Sequence, residues 1–397
     1  MTSDFDFDRV INRRGTNSLK WNVKEKEIPL WVADMDFLAP KPILESLSKK
    51  ISEGIFGYQV LDDSWAKSYI SWWKRRHNFC IEKDWLVFCT GVIPAISSAV
   101  RRFSSPAEYV AVLTPVYNIF FNSIVNNGRR VKECPLLYKN GEYSIDFDSL
   151  EKTLSDPLVS LFILCNPHNP IGILWDKETL SKIGSLCAKY NVTVLSDEIH
   201  CDITEGQKSY VPFASVSEEC KNISVTCVAP TKAFNLAGIQ TAAVVVPNEK
   251  LRAKIERQLN TDEVAEPNAF ALSATVAAFD ECEAWLDAMR SYVFENRALA
   301  ESFVNDSIEG ISAVHGEATY LCWLDCSLLL ETKNHAASSK VLAGFIRKKT
   351  GLYLSAGSVY GGNGNNFLRM NVACPKSIVQ DALERLKTGT QLWKEKE

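Results

Sequence analysis

The chain has 397 residues, 46% of them hydrophobic, with 10 Trp, 12 Tyr and 19 Phe. That is too long and too apolar for one small core and fits two domains, or one large domain with an appended lobe. A formal charge of −4 leaves no electrostatic footprint for nucleic acid or an anionic membrane surface.

The start, Met1-Thr2-Ser3-Asp4-Phe5-Asp6, is acidic and lacks the basic and apolar regions of a signal peptide. The longest apolar run, Leu161 to Cys165, is far too short to span a bilayer. The expected setting is the cytoplasm, with no membrane partner. Residues 1–40 show little periodicity and suggest an extended arm lying across something else. Pro42 opens a predicted helix with Ile43, Leu44, Leu47 and Ile51 on one face and Gly54 as its stop. After Gly57-Tyr58, a second helix is expected from about Asp62, its Trp65, Tyr69 and Trp73 spaced for core packing.

From Trp85 short apolar runs alternate with helical stretches, the signature of a mostly parallel sheet. Trp85 to Cys89 reads as a strand, and Thr90-Gly91-Val92-Ile93 turns into a helix whose exposed N–H groups and dipole suit an anion. The strand Tyr109 to Leu113 leads through Thr114-Pro115-Val116 to Tyr117, at the sheet edge where open α/β folds bind ligands. The strand Val159 to Cys165 ends in Asn166-Pro167-His168-Asn169-Pro170-Ile171-Gly172, a turn-rich loop presenting Asn169 as a donor. A helix from Asp176 to Tyr190 precedes Val192 to Leu195, a strand that runs into Ser196-Asp197-Glu198-Ile199-His200. A carboxylate buried at that strand end requires a cation opposite it.

The run Ile223 to Val228 then leads to Ala229-Pro230-Thr231-Lys232-Ala233-Phe234-Asn235. A lysine at the mouth of a buried strand is poorly hydrated, which favours a neutral, nucleophilic amine able to form a Schiff base. Thr241 to Val246 is another buried strand. Helices are expected over Pro267 to Phe279, Ala284 to Phe303 and Ala336 to Lys349, with strands at Tyr320 to Leu324 and Phe367 to Asn371. Gly361-Gly362-Asn363-Gly364 lacks the third glycine and following helix of a dinucleotide fingerprint. The 12 cysteines fall at irregular spacings without a Cys-x-x-Cys pair or matching histidines, so they are expected reduced and buried, with no metal site.

The strand ends thus offer a helix start for a phosphate, a flat aromatic, an amide donor, a carboxylate needing a cation and a desolvated lysine. Pyridoxal 5'-phosphate requires that set. With Asp34-Met35-Asp36-Phe37, Gly57-Tyr58 and Phe367-Leu368-Arg369-Met370-Asn371, these motifs make the whole chain resemble the fold-type I pyridoxal-phosphate enzymes, and among them the MalY/PatB-type cystathionine β-lyases, also called C-S lyases.

The resemblance implies a large cofactor-binding domain, residues 46–275, with a mostly parallel sheet flanked by helices. It also implies an N-terminal arm, 1–45, and a C-terminal part, 276–397, the two termini building a smaller α+β domain. It makes Lys232 the Schiff-base lysine, Asp197 the partner of the pyridine nitrogen, Asn169 the donor to the phenolic oxygen and Tyr117 the stacking ring. Gly91, Val92, Ile93 and Thr231 would hold the phosphate. Arg369 would grip the substrate carboxylate, and Tyr58 would reach the neighbouring cofactor across a homodimer interface. His200 stands beside the cofactor where transaminases commonly place tyrosine; Gln240 stands where they place a phosphate-binding arginine, and Ala229 where a serine often sits. The implied reaction is α,β-elimination of L-cystathionine and related cysteine thioethers to a thiol, pyruvate and ammonia. Two alternatives are an aminotransferase and a pyridoxal-phosphate-bound regulator or partner-binding module.

Overall fold

Seven short strands, nearly all apolar, form one sheet: β1 (Leu86–Cys89), β2 (Tyr109–Thr114), β3 (Arg130–Pro135), β4 (Val159–Cys165), β5 (Thr193–Asp197), β6 (Ser224–Val228) and β7 (Ala242–Val245), in spatial order β1-β7-β6-β5-β4-β2-β3. The computed structural model describes residues 5–206, 208–331 and 338–395. In β4, β5 and β6 nearly every side chain is buried, because helices cover both faces, and continuous apolar runs are the form such strands take. The fold-type I arrangement expected from the sequence is present: a mixed sheet flanked by helices.

One strand departs from parallel. The run at Thr241 to Val246 forms β7, antiparallel to both β1 and β6. The link from β6 to β7 holds only a 3₁₀ turn, Ala237–Ile239, and without a crossover helix the chain cannot return to start a parallel strand.

A second sheet of four strands, β8 (Ser312–Val314), β9 (Leu321–Asp325), β10 (Ser355–Ala356) and β11 (Phe367–Asn371), is antiparallel in the order β8-β9-β11-β10. Helices Ser339–Thr350 and Lys376–Lys394 pack on each other beside it. The N-terminal arm is tied here: Ile28–Pro29 pairs with Leu352–Tyr353, and the Asn371 side-chain amide donates to the carbonyls of Val32 and Asp34. That places residues 31–36 against the end of the large sheet.

Several elements differ from expectation. Helix α1 (Lys41–Ser52) buries Ile43, while Leu44 and Ile51 are exposed. The helix that follows Tyr117 begins at Ile119. The one expected from Ala336 begins at Ser339, and Ala336 and Ala337 lie outside the described residues. Polar Glu249–Thr261 and Arg130–Pro135, not anticipated, are a helix and an edge strand. Helix α2 (Asp63–His77) behaves as read, with Trp65, Tyr69 and Trp73 buried, and Asp62 accepting from the Ser64 N–H as its N-cap. All twelve thiols are free, only Cys80 being exposed. Among the described residues no helix is long and apolar enough to cross a membrane.

Candidate active site

The carboxyl ends of β1, β4, β5 and β6 converge on a cavity of about 360 Å³. Strand β6 ends at Val228, and the turn that follows carries Lys232 into this cavity. The residue is half-buried, and its amine donates to the Ala33 carbonyl at 2.6 Å. Burial depresses its pKa to about 8, with Arg369 adding to the fall and Asp34 and Asp197 opposing it.

Asp197, the last residue of β5, opens into the same cavity. Its side chain accepts from the Ile199 N–H at 3.2 Å, and no ion pair reaches it among the described residues. Burial drives its pKa up to about 7, the Ile199 N–H and Lys232 offsetting part of the rise. A carboxyl so placed lacks the strong partner that burial of an ionised group requires. His200, three residues beyond, has a buried Nδ1 without a partner among the described residues. Burial, then the charges of Lys232 and Arg369, lower its pKa to about 3, so the imidazole is neutral.

Helix α3 (Val92–Phe103) starts at the cavity wall after β1. Gly91 is its N-cap, with no side chain capping the start, so Gly91, Val92 and Ile93 present a helix start without a built-in acceptor. Thr231 and Gln240 line the same cavity. Gln240 holds a left-handed conformation, φ 56°, uncommon for a residue with a Cβ. Tyr117 is half-buried, and burial pushes its pKa up to about 12 although the Arg369 charge opposes the rise.

The Asn166 to Gly172 loop presents Asn169. His168 Nε2 lies 2.8 Å from the Pro115 carbonyl, and the Trp175 indole donates to the Cys165 carbonyl. Gly172 closes the loop at φ +76°, where a Cβ would stand 2.7 Å from the Ala318 carbonyl, so only glycine fits.

Arg369, on β11, enters from the second sheet. It donates to Asn169 Oδ1 at 3.2 Å and to the Trp31 carbonyl at 2.7 Å, while its buried Nε has no partner. It lines an adjoining cavity of about 640 Å³ that shares Ala33, Tyr117 and Lys232 with the first.

Tyr58 is not among them. It is 98% exposed and borders a separate surface cavity that meets the lysine cavity only at Gln240. The sequence reading also missed two groups at the lysine. One is the Ala33 carbonyl; the other is Tyr320, whose hydroxyl donates to that same carbonyl at 3.2 Å. The Asp34 to Phe37 motif was the available signal for the first. The site chemistry fits pyridoxal 5'-phosphate: a buried carboxyl with no ion pair among the described residues, a half-buried amine and an uncapped helix start line one cavity.

The profile of the family Aminotransferase class I and II matches residues 25–386. The chain belongs to this family. It stands with the MalY/PatB-type C-S lyases: it is 40% identical to cystathionine beta-lyase PatB of Bacillus subtilis over 97% of this chain and 99% of PatB. Among solved structures, cystalysin from Treponema denticola, which contains pyridoxal 5'-phosphate, superposes with a TM-score of 0.92 at 32% identity, covering 98% of this chain and 99% of cystalysin. The pyridoxal-phosphate-bound C-S lyase of Staphylococcus hominis gives a TM-score of 0.91 at 30% identity, with 98% of each chain covered. Pyridoxal 5'-phosphate is therefore the cofactor of this class I/II family member.

Proposed function

We propose that the protein is a C-S β-lyase that cleaves L-cysteine thioethers, L-cystathionine among them, into a thiol, pyruvate and ammonia. The observation that carries this reading is the shared cavity of Lys232 and Asp197, with Arg369 one cavity wall away. Bound pyridoxal 5'-phosphate supplies an electron sink for the pair left on the substrate Cα.

Lys232 would hold the cofactor covalently, and its Nζ, when free, would take the Cα proton; an amine held near 8 by burial suits that task. Asp197 holds a proton at the ring nitrogen, which supplies the cation its carboxylate lacks. Asn169 would serve as the donor to the phenolic oxygen and Tyr117 as the flat partner of the ring, and the N–H groups at Gly91, Val92 and Ile93 with the Thr231 hydroxyl would hold the phosphate, all of them lining one cavity. His200, neutral beside Lys232 and Arg369, lines the cofactor without adding charge. Arg369 grips the substrate carboxylate, keeping Asn169 as a neighbour.

When the Cβ–S bond breaks, its electron pair leaves with sulfur, which takes up a proton to give the thiol. The remaining three-carbon enamine takes up water, giving one pyruvate and one ammonia. The lyase reading predicts these products without any 2-oxo acid being added, a requirement that would instead mark transamination.

The homodimer belongs to the same proposal. Ile55, Phe56, Tyr58 and Val60 are all more than half exposed, an apolar run that a second copy would cover. Tyr58 borders the cavity that adjoins Gln240, so a partner there reaches the phosphate end of the site. Pyruvate release from L-cystathionine by the holoenzyme, compared with Lys232→Ala, tests the reading; full activity in the variant would end it.

A further inference from the structure

Arg369 stands in the wall of the 640 Å³ cavity, and that cavity runs outward from Lys232 past the pair Trp31 and Tyr353, whose rings stack at 5.0 Å and 15°. A thioether held by its carboxylate at Arg369, with its Cα beside Lys232, has this cavity as the space for its sulfur substituent. The inference therefore rests on the lyase reading above.

The lining has a one-sided charge. It includes Lys232, Lys340, Arg347 and Arg369 and, among the described residues, no carboxylate. Three of the four cations are engaged. Lys232 and Arg369 belong to the reaction centre, and Arg347 is held by both oxygens of Glu27 at 2.9 and 2.8 Å while lying 3.7 Å over the Tyr353 ring. Lys340 has no ion pair among the described residues and is exposed.

Lys340 shares one helical face with Ala343, Gly344 and Arg347, spaced three and four residues apart along Ser339–Thr350. A Cβ at Gly344 would find nothing within 4 Å, so this wall leaves room for a substituent. Lys340 is the second residue of the helix, whose first turn holds no acidic residue. The helix dipole disfavours a cation there and favours an anion, so a bound anion would answer the dipole and the ammonium together.

We infer that this outer cavity selects thioethers whose sulfur substituent ends in an anion, a carboxylate or sulfonate, and that Lys340 sets the preference. A distal ammonium meets four cations and no compensating carboxylate among the described residues of this lining. An uncharged chain meets the aromatic wall alone and falls between the two.

The test uses the full-length holoenzyme and three substrates of similar size: S-(2-carboxyethyl)-L-cysteine, S-propyl-L-cysteine and S-(2-aminoethyl)-L-cysteine. Pyruvate release gives kcat/KM for each, and the charged substrates are compared as ratios to S-propyl-L-cysteine measured with the same variant. The carboxyethyl compound is expected to exceed the aminoethyl compound on the order of tenfold at low salt. The difference should lie mainly in KM and shrink as salt is added. Lys340→Gln should bring the ratio near one, and Lys340→Glu should reverse it. A ratio near one in the unaltered protein, or one that survives Lys340→Gln, would overturn the inference. If no thioether released pyruvate, the lyase reading would fail separately. Titration of the cofactor absorbance with the same three amino acids would then still rank their binding, and an order without anion preference would refute the role of Lys340.

Discussion

The end of β5 sends two adjacent carboxyls, Asp197 and Glu198, into unlike regions. Glu198 lies in a polar cluster behind the sheet, where it accepts from the Ser196 hydroxyl at 2.7 Å, from the Phe213 N–H at 3.0 Å and from the Tyr210 hydroxyl. Asp202, on the same side, accepts from the Trp72 indole and pairs with His77, each at 3.0 Å. Asp197 faces the cofactor cavity, where a single backbone N–H reaches its side chain. Burial raises the pKa of both adjacent carboxyls, Asp197 to about 7 and Glu198 to about 8. What separates them is the supply of partners from the protein itself. A buried polar group that the fold supplies with partners is structural, and one left short of them marks where a ligand completes the set.

The contrast is broken most severely at the lysine. Lys232→Ala removes the amine on the ligand side, and pyruvate release from L-cystathionine should fall on the order of 10⁴-fold or more. Folding, followed by far-ultraviolet circular dichroism, should be unaffected.

Asp197→Asn should lower activity on the order of a hundredfold or more, since an amide cannot hold the ring nitrogen protonated. In the cofactor-free protein the same change should be stabilising. The folded Asp197 carboxyl has a raised pKa, so its favourable protonated state is fully kept below the unfolded value near 4 and lost as pH rises towards 7. The resulting penalty at pH 8 is on the order of 4 kcal/mol. Thermal melts should show the Asn variant gaining over the unaltered chain as pH rises from about 4 to about 7, and levelling off above that. A gain independent of pH would mean that Asp197 is not the strained group.

On the structural side, Glu198→Ala leaves the Tyr210 and Ser196 hydroxyls and the Phe213 N–H without their acceptor. The cost should be about 3 kcal/mol, read by urea unfolding. A smaller effect follows from Arg369→Lys, where a single ammonium replaces a fork that bonds Asn169 and the Trp31 carbonyl. KM for L-cystathionine should rise about tenfold, with kcat changing less.

Much of the cofactor side was legible because its groups end apolar strands. An apolar run that stops at Asp197, or that turns into Lys232, places a charge at the sheet edge whatever the rest of the chain does. Asn169 and the helix start at Gly91 follow from the same logic. Other parts required tertiary structure. Ala33 acts through its carbonyl, to which only the neighbouring Asp34 to Phe37 motif pointed. Tyr320 precedes a strand of the other sheet, at a distance in sequence that no periodicity spans. The antiparallel course of β7 depended on the absence of a crossover helix after Lys232, and the edge strand Arg130–Pro135 is too polar to stand out. His77, Cys201 and Asp202, whose ligand atoms lie within 4.8 Å of one another, come from two segments, the end of helix α2 and the stretch after β5, that spacing rules do not connect. The Trp72 and His77 bonds to Asp202 place that cluster with the structural side.

The account depends on one covalent attachment. Borohydride reduction of the holoenzyme, followed by peptide mass spectrometry, should place a phosphopyridoxyl group on the peptide containing Lys232, and none on that peptide in Lys232→Ala. The label on a different lysine, or its absence from a protein that still releases pyruvate from L-cystathionine, would contradict the account.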